Sequence, residues 1–547
     1  MAFSLAPIVV VLAFGILLIY RTRNSRSRLP FPPGPPADPI LGHLRILPDA
    51  NQHLVYHEWC KKYGNVIRLH CLGRSIIVLN DLQSAVELLD KRSNIYSDRP
   101  KFTFYELLGW KATITFMQYG SRLRKHRRLF NEAFTPQACE AYQAMQRELA
   151  QSLVQRLTQQ PEEFDSILNW YSVAIVMRIT YGRNVDSNND SYVKIARDAG
   201  TALADAGPPG GNPIDLFPFL QYLPSWFPGT YYANYARERS HVLQQLHDYP
   251  YDDVKRQLAD GTAEPSYLSG HLERAASTEL SDEEVEDIKL TAAAIYGAGH
   301  ETTWATTLWF VLAMVLYPEC QKRAQAEIDA VVGDRMPDFS DRPALPYVEC
   351  LIQEVLRWQP ALPSGVPHRS TQDDVYKGMF IPKGSIVVAN ATGMSLDENV
   401  YENPERFNPL RFRPQPEGNA EPYADATFGF GRRVCPGRHL AVSSVYMAVV
   451  TILATLDINR KINDRGEEII PVIEYQTGLT RYLLAVSTLH PYFNHMNTAI
   501  QSRLIVSSPP GEPDDGSDLI RDAGRRILPT VVVLQEDVLP VPPPSFL

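Results

Sequence analysis

Cys435 is the residue of this 547-residue chain whose surroundings most strongly suggest chemistry. It lies in the segment Phe428-Gly429-Phe430-Gly431-Arg432-Arg433-Val434-Cys435-Pro436-Gly437-Arg438-His439-Leu440-Ala441. Glycines there allow a tight bend and a close backbone approach to a flat ligand. Leu440, Val442, Val445 and Val449 then repeat with a helical period, so the cysteine stands where a helix begins. Orphan N–H groups and the positive end of the helix dipole favour its thiolate, and Arg433 is placed to neutralise an anion. A second segment, Ala298-Gly299-His300-Glu301-Thr302-Thr303, offers an acid and a hydroxyl side by side. Its mid-helix glycine costs about 1 kcal/mol relative to alanine, so something presses on the backbone there or the helix is locally opened. A third, Glu354-x-x-Arg357, puts two opposite charges on one helix face.

These residues need elements to hold them. The run from about Ser281 to Leu316 reads as one long helix carrying Glu301 and Thr302. Helical patterns dominate from Leu82 to about Arg357, broken by Pro208-Pro209-Gly210-Gly211-Asn212-Pro213 and by Leu223-Pro224-Ser225-Trp226-Phe227-Pro228-Gly229. Earlier, a helix over His53–Lys62 leads to strand-like runs at Val66–Leu69 and Ser75–Leu79. After Pro360 the chain is irregular and strand-rich, with Gly378–Asn390 as turn and strand. The fold class is therefore mainly α with a small β-rich lobe (α+β), without internal repeats.

Taken together, these segments resemble the cytochrome P450 family. All five fixed positions of its heme-binding signature FxxGxRxCxG are met, by Phe428, Gly431, Arg433, Cys435 and Gly437. The resemblance implies heme b with Cys435 as axial thiolate to the iron, a ligation that favours O–O cleavage. It further implies that Glu301 and Thr302 deliver protons to dioxygen. Glu354 and Arg357 would form a buried structural group with a later arginine. In the register Phe407-Asn408-Pro409-Leu410-Arg411-Phe412 that arginine is Arg411, with Leu410 where the family has an acid. The basic run Arg122-Leu123-Arg124-Lys125-His126-Arg127-Arg128 corresponds to the family's WxxxR, with Leu123 in place of the tryptophan. Arg127 would face the heme propionates while its neighbours dock an acidic electron donor. Arg369 is a further candidate for a propionate. Thr392 also stands where the family often has tryptophan, and the region Gly478 to Phe493 resembles the family poorly.

Composition agrees with a folded protein: 44% hydrophobic and 21% charged residues. The net charge of -9 speaks against general nucleic-acid binding. Six scattered cysteines without a CxxC pair support neither a zinc cluster nor a disulfide framework. Residues 1–20 carry an uncharged, apolar run long enough for a bilayer, and Arg21, Arg23, Arg26 and Arg28 follow on what would be the cytosolic side. A basic, proline-rich linker over 21–39, a heme domain over 40–497 and a disordered tail over 498–547 complete the expected organisation. The expectation is a single-pass endoplasmic reticulum enzyme that inserts one oxygen atom from O2 into a small apolar substrate. Substrates of fungal secondary metabolism, whether terpenoid, polyketide or indole-type, are the class the resemblance favours. Electrons would come from NADPH through a separate NADPH-cytochrome P450 reductase, with cytochrome b5 as a second donor. Two other readings remain open at this stage: a heme-thiolate isomerase or dehydratase, and an inactive membrane-bound heme- or ligand-binding protein.

Overall fold

The computed structural model describes residue 15, residues 29–480 except 49, 111–112, 206–211, 461, 464, 470 and 472–477, and the strand 492–495. The expected anchor (Gly15 aside), residues 21–28 of the basic linker and the tail after residue 497 lie outside the described residues.

The β-rich lobe comes first. Helix α1 (Gln52–Tyr63) ends at Gly64, whose φ of 107° suits glycine alone. The strands β1 (Val66–Cys71) and β2 (Arg74–Leu79) follow as an antiparallel hairpin. Its two-residue turn, Leu72-Gly73, has positive φ at both positions, which matches the twist of paired strands. Much later segments complete this sheet. Strand β3 (His368–Arg369) pairs antiparallel with β6 (Ile386–Ala389), which runs parallel to β2, with Ile77 opposite Val387. Between them, β4 (Asp374–Tyr376) and β5 (Met379–Ile381) form a separate hairpin. Alternation along the strands splits the apolar residues into two layers. Ile67, Leu69, Ile76 and Val78 pack on Tyr56 and Cys60 of α1, while Val66, Ile77, Leu79 and Val387 pack on Leu88, Leu89 and Tyr96.

The expected proline-rich spacer is docked on this lobe from Pro30 onward. Pro33 O accepts from Arg68 N at 2.8 Å, Pro30 O from Phe380 N at 2.7 Å, and Phe31 lies under the Arg68 guanidinium at 4.0 Å. Gly34 is glycine because a Cβ would meet Arg68 O at 2.4 Å. Residues 30–34 of the expected linker are therefore part of the folded lobe. Prolines stiffen the segment, but they leave its carbonyls free to accept from strand N–H groups.

The helical part follows the expected pattern. Helices α2 (Ser121–Phe134), α3 (Gln143–Gln159), α4 (Phe164–Tyr181), α5 (Ser191–Ala204), α6 (Tyr231–Asp260) and α7 (Tyr267–Thr278) lead to α8 (Asp282–Leu316). Helices α9 (Pro318–Val332) and α10 (Pro346–Trp358) come next, and α11 (Arg438–Thr455) follows the cysteine segment. Helix α8 starts at a capping box between Ser281 and Glu284, with Asp282 and Glu283 also at its positive end. It is buried on most sides, with α4 along its length and α2, α5, α6, α7, α10 and α11 against its other faces. Among the described residues α11 alone is long and apolar enough to cross a membrane, but 72% of that stretch is buried, and it serves as a core helix. The closing strands β7 (Leu456–Asn459) and β8 (Tyr492–His495) pair antiparallel.

Candidate active site

Cys435 lines a cavity of about 2010 Å3, its open mouth included. Phe428, Gly429, Phe430, Arg433, Pro436 and Gly437 line it from the cysteine segment, and Ala298, Gly299, Glu301, Thr302 and Thr303 from α8. The cysteine N–H donates to Phe428 O at 2.8 Å, which folds the segment back on itself just before α11. Burial pushes the thiol pKa up, while the Gly437 backbone, Arg127 and Arg438 pull it down. A metal bound there would hold the sulfur as thiolate regardless. The two signature glycines differ in task. Gly437 faces open space at the cavity, whereas a Cβ on Gly431 (φ 52°) would lie 2.4 Å from Leu89 O. Gly431 thus lets the cysteine segment approach the chain at Leu89–Asp90, and it is not among the cavity-lining residues.

One wall of the cavity is cationic. Arg127 Nη1 donates to Val434 O at 3.0 Å, one helical turn after the buried Leu123. Arg433 donates to Ser97 O, Ile114 O and Met117 O. Arg99 donates to Thr115 O, Val366 O and Pro367 O, and His368 Nδ1 contacts Tyr96 O at 2.8 Å. All four line the cavity, and among the described residues none has an acidic partner within ion-pair distance. Burial lowers the pKa of each, that of Arg433 to about 10. His368 is therefore neutral, and three arginines gathered away from water without acids call for an anion. A flat group with carboxylate substituents and a metal for Cys435 meets that demand, so these residues fit heme.

Arg99 and His368 were not singled out in the sequence, and the place expected for Arg369 belongs to its neighbour. Consecutive strand residues point to opposite faces. His368 takes the cavity side, and Arg369 turns to Asp98, which its Nε reaches at 2.9 Å. Asp98 acts on Arg99 and Arg433 from a distance, but it is already engaged by Arg369 and by Tyr119 N.

Two close contacts explain the mid-helix glycines of α8. A Cβ on Gly299 would lie 2.8 Å from Val176 Cγ1 of α4, and one on Gly297 would lie 2.5 Å from the Trp110 ring. The helix is pressed upon and remains helical throughout. Adjacent helix positions diverge by about 100°, so Glu301 and Thr302 reach different walls. Thr302 Oγ1 donates to Ala298 O at 3.0 Å. The Glu301 carboxylate lies close to Gly200 of α5 and bonds the Thr480 hydroxyl. Burial pushes its pKa up to about 8. Thr480 lies in the region that resembled the family least, and no sequence signal pointed to it.

Glu354, Arg357 and Arg411 meet in the interior. Arg357 grips Glu354 with Nε at 2.7 Å and Nη2 at 2.8 Å, and Arg411 Nε reaches Glu354 Oε1 at 3.0 Å. A fourth member, Glu421, accepts from Arg411 Nη1 at 2.6 Å and balances the charge that Leu410 leaves unmatched. In the basic run, Arg122, Lys125 and the buried His126 all converge on Asp287 of α8, at 2.8, 3.0 and 3.0 Å. They are therefore not free for docking, and Arg124 and Arg128 are the exposed cations of that run. Thr392 is buried after β6 and is not among the cavity-lining residues.

A family model described as Cytochrome P450 matches residues 32–469. The chain is 38% identical over 479 residues to a cytochrome P450 monooxygenase of Armillaria gallica, covering 86% of this chain and 93% of that protein. It is 38% identical over 526 residues to the cytochrome P450 monooxygenase claR of Ampulloclitocybe clavipes, covering 93% and 95%. A cytochrome P450 monooxygenase of Coprinopsis cinerea is 39% identical over 473 residues, covering 84% and 88%.

Proposed function

Because the chain belongs to the cytochrome P450 family, an oxidoreductase family whose heme-thiolate cofactor receives electrons from NADPH through a reductase, we propose that it is a membrane-bound monooxygenase of fungal secondary metabolism. The reaction is RH + O2 + 2 e⁻ + 2 H⁺ → ROH + H2O on a small apolar substrate. The observation that carries this reading is the single cavity into which Cys435, three arginines without an acidic partner among the described residues, His368 and the Glu301–Thr302 turn of α8 are brought together. When bound, the heme supplies dioxygen activation, helped by thiolate ligation. Cys435 would ligate the iron, and Arg99, Arg127 and Arg433, with His368 beside them, would hold the carboxylate edge. Phe428 and Gly437 would shape the cavity surface on the side of Cys435. Arg369 acts indirectly by fixing Asp98 beside that edge. Arg124 and Arg128 offer an exposed basic face to an acidic donor, a separate reductase or cytochrome b5.

Thr302 carries a transferable proton on Oγ1. Glu301 is mostly protonated below pH 8 and can replenish it, through water if the distance requires. Turnover with 18O2 and a reductase should place one labelled oxygen in the product. Thr302→Ala should leave heme content near normal and slow product formation by roughly 10²–10⁴-fold, the usual worth of such proton transfer, so that product per NADPH falls. The sign of the pH effect follows from Glu301. Its acid form is lost as pH rises through about 8, so product per NADPH should fall on that side, and Glu301→Gln should remove the dependence. Full coupled turnover in both variants would exclude this proton route. Turnover without any reductase would favour an isomerase.

Membrane attachment at the endoplasmic reticulum, with the body in the cytosol, rests on two features. One is the apolar run before four arginines. The other is an exposed aromatic surface at Phe219, Tyr222, Trp226, Phe227 and Tyr231, of which Tyr222 is 81% and Trp226 79% accessible. Deletion of Met1–Arg28 should weaken partition into microsomes without abolishing it, and heme should still bind. Unchanged partition in a sedimentation assay would mean that the N-terminal run is not the main anchor.

A further inference from the structure

Trp110 lines the cavity and has no part in the chemistry above. Its indole is 3% exposed. The ring stacks on His247 of α6, with centroids 5.5 Å and planes 26° apart. Burial pushes the His247 pKa down to about 4, so the imidazole is neutral and the contact is ring on ring. The far edge of the indole runs to α8, where a Cβ on Gly297 would lie 2.5 Å from Cη2 and 3.2 Å from Cζ2. The backbone is pinned as well. Trp110 N donates to Tyr105 O at 2.8 Å, and Trp110 O accepts from Thr113 Oγ1 at 3.0 Å. The indole is thus wedged between two long helices, in a slot that exists only because residue 297 has no side chain. Gly297 precedes Ala298, whose carbonyl accepts from Thr302. The ring therefore bears on the same turn of α8 that carries the proton donor.

A side chain so confined has little room to yield to a ligand. Resting on the reading that this cavity holds heme on Cys435, we infer that Trp110 is a specificity-determining residue: an aromatic stop, backed by His247 and seated on Gly297, that selects compact apolar ring systems over bulkier substrates. A ring packed against it gains aromatic contact, and a substrate that extends past it meets a wall that cannot retreat.

Azoles of graded size test this directly, because each ligates heme iron through the same nitrogen and is read by the heme absorption spectrum without turnover. The probes are imidazole, 4-phenylimidazole and a triphenylmethyl imidazole, titrated into the full-length holoprotein. Trp110→Ala should leave imidazole affinity within about twofold and tighten the triphenylmethyl imidazole by about 10-fold or more, the scale on which pocket size discriminates. Trp110→Phe lacks the ring edge that reaches Gly297 and should move in the same direction by less. If the alanine variant fails to retain heme, the phenylalanine variant decides the matter alone. Equal changes for all three azoles, or no gain for the bulkiest, would overturn the proposal. A wild-type protein without a thiolate-type spectrum would instead overturn the reading of the cavity on which the proposal rests.

Discussion

Cys435→Ser is expected to abolish the thiolate-type absorption of the reduced carbon monoxide complex, and with it all product formation. Serine is nearly the same size, so the fold of the segment should persist. The Phe428 O contact uses the backbone N–H and survives the change. What disappears is the soft sulfur donor, and a neutral hydroxyl cannot replace a thiolate on iron. Heme itself should still bind in part, since Arg99, Arg127, His368 and Arg433 remain to hold its carboxylates. The other five cysteines, Cys60, Cys71, Cys139, Cys320 and Cys350, are buried and free. Burial pushes the thiol pKa of each well up, to between about 11 and about 12, so all are neutral thiols. None of the five lines the cavity, and serine at any of them should leave the spectrum intact. An unaltered spectrum in Cys435→Ser would remove the assignment of the iron ligand altogether.

The second large effect is expected at Glu354, which never touches the cavity. Its carboxylate is fully buried and holds Arg357, Arg411 and the Asn408 N–H together. Arg357 in turn bonds Ser395 O, and Arg411 bonds the carbonyls of Glu402 and Arg406. Two consequences follow from Glu354→Ala. The arginines keep only Glu421 as a counter-charge, and leaving buried charge uncompensated costs about 3–5 kcal/mol. That is a large share of the roughly 5–15 kcal/mol by which folded proteins are stable. The chain from Phe407 to Phe428 also loses its main attachment to α10. Thr427 sits at the end of that stretch and donates to Leu356 O at 3.3 Å, and both residues line the cavity. Glu354→Ala should therefore yield protein that retains little heme and melts far below wild type. Glu354→Gln, which keeps some hydrogen bonds, should be milder but clearly destabilised. A wild-type melting curve and full heme content in the alanine variant would mean that the four-charge group is dispensable.

How much of this was legible in advance depends on the range of the interactions involved. The cysteine segment could be read directly, because its chemistry is local: a glycine-rich bend, one sulfur and the start of a helix within fourteen residues. Helix α8 was legible for the same reason, since its helical run and mid-helix glycine are features of one continuous stretch. The family likeness fixed Arg411 as the partner of Glu354 and Arg357, although no spacing rule joins residues more than fifty positions apart. Other features only the tertiary structure decided. Strand parity gives the cavity to His368 and turns Arg369 to Asp98, and the boundary of a two-residue strand cannot be read from composition. The basic run looked like a free docking face until α2 packed against the start of α8, where Asp287 collects three of its side chains. Glu421 balances Arg411 from a loop whose path depends on every contact before it. Glu301 and Thr302 are neighbours in sequence, yet helix geometry sends one toward Gly200 and Thr480 and leaves the other bonded within its own helix. Arg99 and Trp110 belong to the site because the irregular chain before α2 folds over the cavity. A sequence states which side chains are available, but the choice of partner among distant side chains is made by packing, where burial makes each unpaired charge costly and each spare Cβ a clash.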